Sequence, residues 1–140
     1  SQKAEFAIGK FSVLHESKKD DVVLAGSGIT LIQSLKSSEK LAEKGINAAV
    51  IDIYCVKPFN EQAFRKFVSE HGNRLVIAED HYPQGGIGEM LSGALTGTGA
   101  KVNCLAVKSI PHSATMQEEL AIQKIDSDAI TEAAKKLMKK

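Results

Sequence analysis

The sequence has no excess of charge of either sign, no long apolar run, almost no cysteine and no repeated segment, and each shortage removes a class of protein. Eighteen basic residues stand against seventeen acidic ones, a formal charge of +1, so no positive field is available to draw in a nucleic acid. The longest apolar stretches, Val22 to Ala25 and Ala48 to Ile51 among them, are four residues each, far short of the roughly 20 needed to cross a bilayer. No membrane span is predicted. Cys55 and Cys104 each lie in an apolar, strand-like run, where a thiol behaves as a small buried hydrophobe; with no secretory signal or Cys-rich framework, both are expected to be reduced. His15, His71, His81 and His112 are scattered without paired spacing, which gives a zinc site no support. Ser27 and Ser113 lack the Gly-x-Ser-x-Gly context of an activated nucleophile. The chain opens Ser1-Gln2-Lys3 without Met, as expected of a piece excised from a longer polypeptide or of a processed product.

What is present has the balance of a packed globular protein, with 43% apolar and 25% charged residues over 140 positions, enough for one core and too little for two. Residues 1–10 read as a connector and 11–140 as a single domain. Short β-branched runs alternate with stretches of helical spacing, which predicts an α/β fold with helices on the faces of a largely parallel sheet. Strands are predicted over 11–15, 21–25, 47–54, 74–79 and 101–107. The polar turn Glu16 to Asp20 is too short for a helical crossover, so the first two strands are not parallel neighbours. The 47–54 run is apolar on both faces and reads as central.

Helices fall between these runs. The first, ending at Lys44 before Gly45, carries Leu31, Leu35, Ser38 and Ala42 on one stripe. Asn60 caps a second, with a Phe59–Phe64 staple, and a third carries Ile87, Met90, Leu91, Ala94 and Leu95. Thr115 with Glu118 has capping-box spacing, and Asp126 caps the last helix, whose basic end suits the negative pole of its dipole.

Two stretches are candidates for chemistry. Gly26-Ser27-Gly28, between a strand and a helix, invites a dinucleotide reading, because glycines there admit a pyrophosphate to the helix N-terminus. Leu31 replaces the fingerprint's third glycine, however, and Asp52 is expected inside a strand rather than at its tip. The second stretch, Glu79-Asp80-His81-Tyr82-Pro83-Gln84-Gly85-Gly86-Ile87-Gly88-Glu89, gathers acid and base groups at the carboxyl end of a strand, where open α/β sheets present ligands. Groups this close suit proton exchange. The structural alternative has Glu79 and Asp80 bonding across the loop, Gly85 and Gly86 permitting a tight turn, and His81 and Tyr82 meeting a neighbouring domain.

Ala78 to Tyr82 with Gly85 to Glu89 resembles the Glu-Asp-His-Tyr and Gly-Gly-Ile-Gly-Glu signature in the last domain of animal-like transketolases. Ile8-Gly9-Lys10, Ala25 to Leu31, Asp52 to Pro58, and Ala106 to Ser113 followed by Glu118-Glu119-Leu120 and Ile125-Asp126 agree in order and spacing. The closing block departs from the family's Arg-Ser-Gly with His112-Ser113-Ala114. Beta subunits of 2-oxo-acid dehydrogenases and deoxyxylulose-phosphate synthases share the domain but differ around His81-Tyr82 and Pro111-His112-Ser113.

The resemblance implies a three-layer α/β/α fold whose five-stranded mixed sheet has its first strand antiparallel to the other four. It implies the C-terminal, non-catalytic domain of a cytoplasmic, homodimeric enzyme of the pentose phosphate pathway. That enzyme moves a two-carbon ketol unit from a ketose phosphate to an aldose phosphate. Thiamine diphosphate and its Mg or Ca are held by N-terminal and middle domains outside this chain, so no catalytic, cofactor-binding or metal residue is assigned here. Glu79, Asp80, His81, Tyr82, Gly85 and Gly86 form the candidate interface loop. The alternatives are the same domain of another thiamine enzyme, a natural C-terminal subunit of a split transketolase, or a small nucleotide-binding oxidoreductase domain.

Overall fold

The computed structural model of the chain describes residues 11–53, 60–80, 87–106, 115–122 and 124–139. The elements run β1 (Ser12–His15), β2 (Val22–Gly26), α1 (Ile29–Glu43), β3 (Ala48–Asp52), α2 (Glu61–Glu70), β4 (Arg74–Ala78), α3 (Ile87–Ala94), β5 (Lys101–Leu105), α4 (Met116–Ile122) and α5 (Ser127–Met138). Five strands form one sheet in the order β1-β3-β2-β4-β5. β2, β3, β4 and β5 are parallel, while β1 pairs antiparallel with β3 at the edge, the arrangement the short Glu16 to Asp20 turn and the family resemblance both implied. β3 is interior, but β2 rather than β3 takes the centre. β1 carries an irregularity between Val13 and His15, which bends the edge strand as bulges do.

The central strands are apolar on both faces because both are covered. Val23, Ala25, Ala49, Ile51, Leu75 and Ile77 pack with Phe64, Val68 and Leu91 on the α2 and α3 side. Val22, Leu24, Ala48, Val50, Val76 and Ala78 pack with Leu41, Ile130 and Ala134 on the α1 and α5 side. Leu120 of α4 and Ile125 close a small third cluster with Ile29 and Leu105. Phe11 meets Phe64 and Phe67 edge-on, with ring centroids 5.8 and 5.2 Å apart, and so seals the α2 side at β1.

The caps fall where the residue types require. Asn60 accepts from Ala63 N at 3.0 Å, Asp126 from Ala129 N at 3.0 Å and Thr115 Oγ1 from Glu118 N at 3.2 Å. Gly45, at φ 78°, ends α1 with its N–H on Ala42 O. Phe59, Pro58, Cys55 and the 1–10 connector lie outside the described residues.

The buried stripe of α1 corrects the one expected from apolar spacing. Of the expected stripe Ser38 is buried, Leu31 and Leu35 are only partly buried and Ala42 is exposed, whereas Thr30, Gln33, Ser34, Ser37 and Leu41 are buried. The physical reason is a polar seam with α5. Gln33 Oε1 accepts Ser127 N at 2.9 Å, and Ser37 Oγ meets Thr131 Oγ1 at 2.8 Å. Since the Thr131 hydroxyl donates to Ser127 O at 2.7 Å, Ser37 is the donor of that pair. Lys40 Nζ closes the seam on Ser127 Oγ at 2.7 Å and Asp128 Oδ1 at 2.6 Å, which holds the Asp128 carboxyl below its ordinary range.

Candidate functional site

In a parallel sheet every strand ends at the same edge, and the loops that follow emerge there together. β2 ends at Gly26, β3 at Asp52, β4 at Ala78 and β5 at Leu105, so the Gly26-Ser27-Gly28 turn and the Glu79-Asp80 strand end share this carboxyl edge. Asp52 is the last residue of β3, a correction to the strand interior expected for it. It lies in register with Gly26 of β2 and Ser12 of β1.

Glu79 extends the β4–β5 ladder by donating its N–H to Leu105 O at 2.9 Å. Its side chain is buried, the residue being 2% exposed, and Oε2 accepts the N–H of Gly88 at 2.9 Å. A carboxylate there satisfies an orphan amide and meets the positive end of the helix dipole. Gly88 makes room for Cys104, because a Cβ at that position would overlap Cys104 Sγ, whereas Glu79 Oε1, 3.6 Å from it, would be in ordinary van der Waals contact. Glu79 thus joins the end of β4 to the first turn of α3. Asp80 is exposed, and His81, Tyr82, Gly85 and Gly86 lie outside the described residues, as do Pro111, His112 and Ser113.

The other half of the edge is closed on itself. Thr30 and Leu31 backbone atoms lie 2.9 Å from where a Gly26 Cβ would stand, so the first turn of α1 rests directly on the end of β2. Ser27 N donates to Thr30 Oγ1 at 3.0 Å, and that hydroxyl donates back to Ser27 O at 2.9 Å. Beside this turn, Asp52 Oδ1 and Ser12 Oγ are buried without a hydrogen-bond partner, as is Glu79 Oε1. Burial pushes the Asp52 carboxyl up from its ordinary value.

Of the described groups, the Glu79 and Asp52 carboxylates and the Ser27 amide, already engaged by Thr30 Oγ1, are not the free donors or cations that a diphosphate needs. Among the described residues, no group of His, Cys, Asp and Glu is arranged to hold a metal ion. Cys104 and Ser12 belong to the site's geometry but carry no chemistry that marks them as site residues, and Gly88 stood out only as part of the Glu79 to Glu89 stretch. For Gly88 a signal existed, since a glycine inside a helix-forming stretch often marks close packing.

A family model described as "Transketolase, C-terminal domain" matches residues 9–130. The chain is 36% identical to the transketolase of Mus musculus over 100% of its own length and 23% of that protein, so it spans less than a quarter of that curated relative. A solved structure described as "Split gene transketolase, inactive beta4 tetramer" superposes with a TM-score of 0.85 at 25% identity, over 95% of this chain and 43% of that one. Transketolase from Campylobacter jejuni shares the fold with a TM-score of 0.69 at 16% identity, over 96% of this chain and 20% of that one.

Proposed function

This chain belongs to the transketolase C-terminal domain family, and from that premise we infer that it is the non-catalytic last domain of a ketol-transferring enzyme. In that enzyme thiamine diphosphate, with its Mg or Ca, supplies the nucleophile and electron sink from the preceding domains. This domain supplies an assembly face at its carboxyl edge, where Glu79, Asp80, His81, Tyr82, Gly85 and Gly86 meet the N-terminal and middle domains of a cytoplasmic homodimer of the pentose phosphate pathway. The parent reaction moves a two-carbon unit between ketose and aldose phosphates.

The observation that carries this reading is the bond from Gly88 N to Glu79 Oε2. Through Oε2 the signature's buried carboxylate holds the first turn of α3, which supports a structural role for it. The neighbour described as an inactive beta4 tetramer is consistent with a chain of this kind lacking a complete site. Calorimetric titration of thiamine diphosphate and Mg into this chain tests the reading. No saturable heat is expected, and binding at micromolar concentration would overturn it.

A further inference from the structure

The opposite edge of the sheet holds an arrangement the family assignment leaves unused. His71 follows the last residue of α2. Its ring stacks on Phe67 with centroids 3.8 Å apart and planes 18° apart, and its side chain is 12% exposed. Nδ1 lies 2.7 Å from Phe67 O and Nε2 lies 2.8 Å from Glu16 Oε2. Asp20 Oδ2, on a fully buried side chain, stands 3.8 Å from Nε2.

A carbonyl oxygen and an ionised carboxylate both only accept hydrogen bonds. Making both contacts therefore requires a proton on each ring nitrogen, which is the imidazolium. The surroundings suit that cation: the negative end of α2, the face of Phe67, and the Glu16 and Asp20 carboxylates. Charged groups on the adjoining elements are turned to other partners. Arg74 donates to the carbonyls of Leu137, Asp21 and Gly72, and Lys66 faces Glu70. Lys18 and Lys19 are exposed in the turn.

We propose that His71 is a proton-operated clasp between the β1–β2 turn and the end of α2. With both ring nitrogens protonated, the turn is held through Glu16. When the second proton leaves, a lone pair faces an oxygen, and the more exposed Glu16 contact opens. Asp21 stays anchored, since its N–H donates to Asn47 O at 2.7 Å and its carbonyl accepts from Arg74 at 3.1 Å. Release is therefore confined to Glu16 through Lys19, beside the edge strand β1.

Nitrogen NMR of the His71 ring, recorded through a pH series with amide exchange, tests this. The Ser17 amide is the reporter, because it donates to the Asp20 carboxylate at 3.0 and 3.2 Å. Both ring nitrogens should carry protons while the turn is protected. As one proton is lost, the Ser17 protection factor should fall roughly tenfold, the scale of one charge-assisted hydrogen bond, while Asn73 N, bonded to Val68 O, keeps its protection. In Glu16→Gln, a surface change that leaves the core intact, the loss of the second proton should move to lower pH. A neutral ring while the turn is protected, titration without change at Ser17, or an unmoved titration in the variant would each overturn the clasp.

Discussion

The carboxylate of Glu79 accepts the backbone N–H of Gly88 at 2.9 Å, so the residue that follows β4 also closes the first turn of the next helix. Replacing Glu79 with Ala would leave that amide without its acceptor in a buried place, at a cost of about 1–3 kcal/mol. Glu79→Gln keeps a carbonyl oxygen for Gly88 and should lose much less. Urea unfolding separates the two, with a lowered midpoint and unchanged m-value expected for the Ala variant alone.

Gly88 and Cys104 should behave as a coupled pair. Gly88→Ala drives a methyl group into Cys104 Sγ, and overpacking of this kind costs about 1–3 kcal/mol. Cys104→Ala removes the obstructing sulfur, so the double variant should recover most of that loss. A double-mutant cycle measures the coupling, which should clearly exceed the scatter of about 0.5 kcal/mol seen for independent sites.

Asp52 should make stability fall as pH rises. Burial raises its folded-state value, so the unfolded chain ionises first. The penalty starts near the unfolded-state value and is complete above the folded one. Asp52→Asn should therefore stabilise the chain at neutral pH and make little difference in acid. Unfolding midpoints of both proteins across the acidic to neutral range check the sign.

The seam between α1 and α5 should be sensitive to single changes and tolerant of matched ones. Gln33→Leu strands the buried Ser127 N–H that Gln33 Oε1 accepts, at about 1–3 kcal/mol. Ser37→Ala combined with Thr131→Val removes both members of the 2.8 Å hydroxyl pair and should cost less than Gln33→Leu. Thermal melts of the two variants compare them directly.

That seam also shows where reading from sequence stopped. The elements and their order were legible because the strands are apolar on both faces and the helix starts carry Asn60, Thr115 and Asp126. The buried side of α1 was not, because apolar periodicity is blind to Gln33, Ser34 and Ser37: Gln33 and Ser37 bond to a helix 94 positions away, and the Ser34 hydroxyl donates to Thr30 O within α1. Asp52 was misplaced by extending β3 past its last paired residue, an ordinary boundary error where strand-like residues continue into a loop. At the candidate site, the Glu79 to Glu89 segment was legible as chemistry-rich. What Glu79 does there depends on the first turn of α3 bringing the Gly88 N–H to its carboxylate, a contact between the end of β4 and α3 that no local pattern encodes.

On the proposed function, the carboxyl edge of this sheet serves assembly rather than chemistry. Amide hydrogen exchange of this chain alone, compared with the same segment inside the longer enzyme, tests it most directly. Protection should rise around Gly26–Gly28, Ile53, Glu79–Asp80 and Gly88–Glu89, while the turn from Glu16 to Lys19 at the opposite edge exchanges as before. Equal exchange at the carboxyl edge in both forms, or new protection confined to the opposite edge, would contradict the claim.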